Sequence, residues 1–122
     1  MLTRRAEAPL ARLLRRFPCV LLLGARQTGK STLVERTAIA EGRRYVTFDD
    51  PDALASARAD PEAFLDQSDR LTVDEVQRFP GLLARVKRAV DRSRRPGRFL
   101  LTGSSAAGIL SGASALAGRT AI

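Results

Sequence analysis

With 122 residues, 44% of them hydrophobic and 28% charged, the chain has the size and balance of one globular domain. Its longest apolar run, Cys19 to Leu23, falls far short of the ~20 residues a membrane-spanning helix needs, and no signal-peptide pattern surrounds Arg4 and Arg5; a cytoplasmic protein without a membrane partner is the simplest reading. The formal net charge is +8, and His, Trp and Asn are absent, which removes Ser-His and Cys-His nucleophile pairs, imidazole metal ligands and the Asn-Lys-x-Asp guanine signature.

Residues 1–18 read as an N-terminal helical segment. Leu10, Leu13, Leu14 and Phe17 fall at helical spacing opposite Arg12, Arg15 and Arg16. Pro9 kinks that helix or starts its second part, and Pro18 ends it. Cys19 to Leu23 is apolar without alternation, the pattern of a strand buried on both faces of a parallel sheet. Cys19 is the single cysteine and cannot form an internal disulfide. A helix is expected from Lys30 to Ala40, ending near Gly42, and a second strand at 45–48. Asp50 is placed to cap a helix that has Pro51 at its first position. Two short helices fill 51–67, the second opening at Asp60-Pro61. A third strand at 71–73 runs into Asp74-Glu75. A helix from Leu82 to Arg92 gathers Leu82, Leu83, Val86 and Val90 on one face. Pro96-Gly97 makes a turn into a fourth strand at 99–102. Residues 106–122 are small and weakly patterned. The alternation predicts an α/β fold, a parallel sheet of about four strands flanked by helices.

Between the first strand and its helix stand Gly24, Ala25, Arg26, Gln27, Thr28, Gly29, Lys30 and Ser31, followed by Thr32. This is the Gly-x-x-x-x-Gly-Lys-Ser/Thr pattern of a P-loop. Glycines let the loop turn its amides inward as a nest for phosphate oxygens, and the helix adds its N-terminal amides. Lys30 is expected to bridge the β- and γ-phosphates of ATP, and Ser31 to offer a hydroxyl to Mg²⁺. Arg26 faces solvent or braces the loop. The third strand ends in Asp74-Glu75, as a Walker B strand does. Asp74 is the metal candidate with Ser31, and Glu75 the group that orients the attacking water. A second carboxylate beside the metal-binding one favours hydrolysis over transfer to a small substrate. The fourth strand runs into Gly103, Ser104 and Ser105; Thr102 and Ser104 are candidates for sensing the γ-phosphate at the crevice beyond the strand ends. Arg119 is a candidate for stabilising charge on the transferred group, from its own chain or a neighbour's.

Nineteen of the twenty-one basic residues are arginine, with clusters at 12–16 and 92–98. This charge either attracts nucleic acid or coats helix faces for solubility. No aromatic residues are interleaved with the arginines as a base-stacking surface requires.

Taken in order, GARQTGKSTL, YVTFDDPDALASARADPEAFL, LTVDEVQRFPGLLARVKRAVD, RFLLTGSS and LAGR resemble a family of prokaryotic AAA-like P-loop ATPases. In that family an N-terminal AAA domain precedes a C-terminal domain of unknown function. Gln77 and Pro80 after Asp-Glu carry much of the specificity, with Leu-Thr-Gly-Ser and Leu-Ala-Gly-Arg. The resemblance implies ATP and Mg²⁺ as ligands, slow hydrolysis, and the glutamate-using P-loop sheet in which the Asp-Glu strand lies beyond the sensor strand. It assigns phosphate and Mg²⁺ to Lys30 and Ser31, Walker B to Asp74 and Glu75, the sensor position to Ser104, and a nucleotide-responsive role to Arg119. On this reading residues 19–122 are an AAA-like core truncated at its C-terminus, with the fifth strand beside Cys19 to Leu23 missing. The partner is then an unidentified protein or the chain's own missing C-terminal domain.

Three other functions compete with an ATPase switch. A nucleic-acid-associated ATPase rests on the arginines. A small-molecule kinase is disfavoured by the Asp74-Glu75 pair and the lack of a recognisable acceptor site. A binding module without hydrolysis follows from truncation.

Overall fold

Helices and strands alternate along the chain as the apolar pattern requires. The computed structural model describes residues 4–23, 30–103 and 120–121, with side chains from residue 9 onward except at 30–31 and 120–121. The elements are α1 Arg4–Arg16, β1 Cys19–Leu23, α2 Lys30–Ala40, β2 Arg44–Thr47, α3 Pro51–Ala59, α4 Pro61–Leu65, β3 Leu71–Asp74, α5 Leu82–Arg92, β4 Phe99–Gly103 and β5 Thr120–Ala121. A single 3-10 turn, Val76–Arg78, follows β3. Helix α1 passes through Pro9 as one element. Asp50 caps α3 by accepting from the Asp52 amide at 3.0 Å, and Asp60 caps α4 by accepting from the Ala63 amide at 3.1 Å.

The strands form one parallel sheet in the order β2-β3-β4-β1-β5. The Asp74 strand β3 is therefore separated from β1 by β4. One sequence expectation changes here. The fifth strand, expected to be missing, begins within the chain: Thr120–Ala121 pairs with Cys19 and Val20 along the outer edge of β1. A two-residue strand carries too few positions to show a period, so only long-range pairing reveals it.

Strand side chains alternate between two apolar layers. Cys19, Leu21, Leu71, Val73, Phe99 and Leu101 pack on one face with Phe48, Phe64, Leu82, Leu83, Val86 and Val90 from the α3–α5 side. Val20 and Leu100 pack on the other face with Leu10 and Leu14 of α1 and Leu33 and Val34 of α2. Burial on both faces explains the uninterrupted apolar strands.

Arg43 closes the amino end of the sheet. Its buried guanidinium donates to Thr72 Oγ1 and the Leu71 carbonyl, both at 2.9 Å, and to the Gly97 carbonyl. Burial first, then the nearby Arg70, lowers its pKa to about 10, so it is charged at neutral pH.

Candidate functional site

The carboxyl ends of β1, β3 and β4 lie side by side, with Leu23 paired to Gly103 and Val73 paired to Leu101. β1 ends at Leu23 and α2 opens at Lys30, so the glycine-rich segment joins a strand's carboxyl end to a helix's first turn. Gly24, Ala25, Arg26, Gln27, Thr28, Gly29, Ser104, Ser105 and Arg119 lie outside the described residues. Lys30 and Ser31 are described by their backbone, at the start of α2, and Thr32 is exposed in the same turn.

The Asp74-Glu75 pair is fully described and forms the centre of the site. Asp74 is 2% exposed and ends β3. Its Oδ1 accepts the Thr102 hydroxyl of β4 and the Glu75 amide, the latter at 3.1 Å. Its Oδ2 accepts the Tyr45 hydroxyl of β2 at 2.8 Å. Three parallel strands therefore fix one carboxylate. Burial first, then the hydrogen bond to Asp74 and its charge, raises the Tyr45 pKa well above the usual 10. The phenol stays protonated and keeps donating.

Glu75 takes left-handed backbone angles, φ 60° and ψ 45°, alone among the non-glycine residues described. That conformation costs an L-residue about 1–2 kcal/mol. Its amide is held by Thr102 Oγ1 at 3.2 Å as well as by Asp74. The turn aims the chain into the 3-10 segment, whose Gln77 donates its amide to Glu75 Oε1 at 2.6 Å. Gly103 makes room for this contact, since a Cβ there would meet Gln77 Oε1 at 3.1 Å. Backbone strain of this kind persists only where the surrounding structure holds it, here through the contacts to Asp74, Thr102 and Gln77.

Sequence reading anticipated Asp74 and Glu75 but not the residues that hold them. Tyr45 projects from a neighbouring strand, and its role follows only from the β2-β3 pairing. Gln77 enters the sequence reading as a family mark, without its contact to Glu75. Thr102, anticipated as a phosphate sensor, is fully buried and donates its hydroxyl to Asp74, so it positions that carboxylate instead. A separate cavity of about 360 Å³ flanks β2 and α3, lined in part by Thr47, Asp52, Phe64 and Gln67; Tyr45 also borders it.

The donor set suits Mg²⁺. This hard cation takes oxygen ligands and uses one or two carboxylates alongside substrate phosphates, and Asp74 offers such a carboxylate where the strands converge. Among the described residues no cluster of three His, Cys, Asp or Glu side chains forms an all-protein metal cage, and no helix is long and apolar enough to cross a membrane.

A family model described as an AAA domain matches residues 16–122. The chain is 41% identical over 119 residues to the uncharacterized protein Rv2008c of Mycobacterium tuberculosis and equally to the uncharacterized protein Mb2031c of Mycobacterium bovis. Each match covers 95% of this chain and 26% of the relative, so the chain spans about a quarter of their length. Since the family model takes in most of the sequence and the sheet that surrounds Asp74, the chain belongs to the AAA domain family, a nucleotide-binding family of ATPase type.

Proposed function

We propose that the protein binds ATP with Mg²⁺ and hydrolyses it, using the energy to switch conformation against a protein partner or a further domain of a longer chain. The observation that carries this reading is the buried Asp74-Glu75 pair, with Thr102 between them, beside the strand that leads into Gly24. The amides of residues 24–31 cradle phosphate, and Lys30 meets the β- and γ-oxygens. Ser31 and Asp74 would hold Mg²⁺, which would supply positive charge to offset that of the phosphates. Glu75 accepts a proton from the attacking water and orients it. Gln77 positions Glu75, and Tyr45 and Thr102 position Asp74. Ser104 contacts the γ-phosphate, and Arg119 stabilises the charge that develops on it. Such a protein works in the cytoplasm, where ATP and Mg²⁺ are supplied. Residues 1–18 act as a helical preface to the core at 19–122.

Phosphate release tests the reading. Glu75→Gln should cut it by roughly 10² or more, the range for losing a general base, while ATP affinity stays close to wild type. Lys30→Ala should abolish ATP binding by calorimetry. Equal release by wild type and Glu75→Gln would sink the hydrolytic role. No release from either, with binding intact, would leave a nucleotide-binding module.

The second reading is a nucleic-acid-associated ATPase, favoured by the arginines exposed on α1 and α5. It requires duplex or single-stranded DNA binding that weakens steeply with salt. No binding at low salt removes it.

A further inference from the structure

The arginines of α5 are not spread evenly. Arg85, Arg88 and Arg92 follow one another at spacings of three and four, so they share one stripe of the helix. That stripe borders a cavity of about 130 Å³ between α4 and α5, which Glu62, Asp66 and Arg98 also line. Four guanidinium groups therefore face two carboxylates. The carboxylates are already used: Glu62 accepts from Arg85 at 2.6 Å, and Asp66 accepts from Arg98 at 3.0 Å. Glu62 also feels the charge of Arg88, but among the described residues no carboxylate is in ion-pair contact with Arg88 or Arg92. The lining keeps an excess of two positive charges, held close together on one helix face where like charges repel.

Arg98 adds a second, independent sign. It is 8% exposed, stacked over the Phe99 ring at 4.8 Å and fixed by the Ala89 carbonyl at 3.1 Å and by Asp66. Its Nε–H is buried without a hydrogen-bond partner. An unused buried donor is costly, and structures keep few of them. Asp66 itself is 70% exposed at its side chain, so an incoming oxyanion can take its place on Arg98 without disturbing the core. Helix electrostatics account for Arg92, which lies in the last turn, but not for Arg88 a turn earlier.

We propose that this cavity is a binding site for a phosphate-type dianion, either free phosphate or the phosphate of a small monoester. Planar guanidinium forks match tetrahedral oxyanions in pairs, and several of them converge here. Size is consistent with this class: the cavity of about 130 Å³ has room for a phosphate group and is smaller than the pockets of about 300 Å³ or more that enclose whole drug-sized ligands. The site lies beside α4 and α5 rather than at the strand ends, and it does not depend on the nucleotide reading.

The test is a titration of the protein with inorganic phosphate and, separately, with glycerol phosphate, in the presence of a saturating non-hydrolysable ATP analogue and Mg²⁺. The analogue keeps phosphate out of the nucleotide site. The readout is the arginine side-chain Nε–H signals in nitrogen–proton correlation spectra. Saturable shifts that include Arg98 are expected, and the tighter of the two ligands identifies the source. The Arg88→Gln/Arg92→Gln double variant should bind at least about tenfold more weakly, the equivalent of one charge-assisted hydrogen bond, with its melting temperature and ATP affinity unchanged. Asp66→Asn removes the competing carboxylate and should tighten binding, a gain that misfolding cannot imitate. Shifts that stay linear in phosphate, a double variant that binds as wild type, or Asp66→Asn binding no tighter would each overturn the proposal. Duplex DNA binding lost in the double variant, without saturable phosphate binding, would overturn it in favour of a nucleic-acid contact.

Discussion

The carboxylate of Asp74 is buried with three donors around it, and each donor comes from a different place in the chain. Such a group is fixed before any ligand arrives, which is what a metal-holding residue requires. Tyr45 supplies the most testable of the three contacts. Tyr45→Phe removes one hydrogen bond to a charged group and should destabilise the fold by about 1–3 kcal/mol at pH 7. The dependence on pH has a definite sign. The Tyr45 pKa is raised in the folded protein, so the unfolded chain loses the phenolic proton first, from pH 10 upward. Stability contributed by the phenol is complete below pH 10 and is lost as the pH climbs beyond it. Urea unfolding of the two proteins at a series of pH values should show a constant gap up to about pH 10 and a narrowing gap above. A gap that widens there would contradict the assignment. The sequence makes Asp74 and Glu75 conspicuous because an acidic pair directly follows an apolar strand. It does not reveal Tyr45, since a tyrosine in a β-pattern looks the same whichever residue it meets across the sheet.

Elements bounded by strong local chemistry were legible in the sequence. Helix α5 begins and ends where its apolar face predicts, and α3 and α4 open at the two Asp-Pro pairs. Local signals suffice there because caps and periodicity act within a few residues. Arg43 illustrates the opposite case. It looks like one more arginine in a basic turn, yet it ties the approach to β2 to β3 and to the turn before β4. Arg43→Met would leave the Thr72 hydroxyl and two buried carbonyls without their donor, and should cost about 2–4 kcal/mol in urea unfolding. A loss below about 0.5 kcal/mol, the usual size for a surface change, would show that water replaces the guanidinium easily. Lys87→Met offers a useful contrast: the Lys87–Asp91 pair is a surface ion pair, and its removal should change stability by well under 1 kcal/mol.

Across the whole molecule, stability rests on two apolar layers rather than on the ion pairs. Arg78–Asp49, Arg85–Glu62 and Lys87–Asp91 are each more than a third exposed, where such pairs contribute little. The larger electrostatic effect is self-repulsion from the net charge of +8. Raising sodium chloride from about 0.05 M to 0.5 M should therefore raise the melting temperature by roughly 2–5 °C, the equivalent of about 1 kcal/mol for a chain of this size. A fall would show that the ion pairs outweigh the repulsion. The sequence by itself determined the fold class, the alternation of elements, the strand that ends in Asp74-Glu75 and the family resemblance that the AAA domain match supports. These follow from periodicity, capping and short motifs, all of which act between near neighbours. Tertiary structure bore out the strand order that the resemblance implied, with β4 between β3 and β1, and alone decided that Thr120–Ala121 lies along the edge beside β1 and that Tyr45 and Thr102 hold Asp74. Those relations join residues about 30 to 100 positions apart. No local pattern encodes them, and burial and pairing in three dimensions select them.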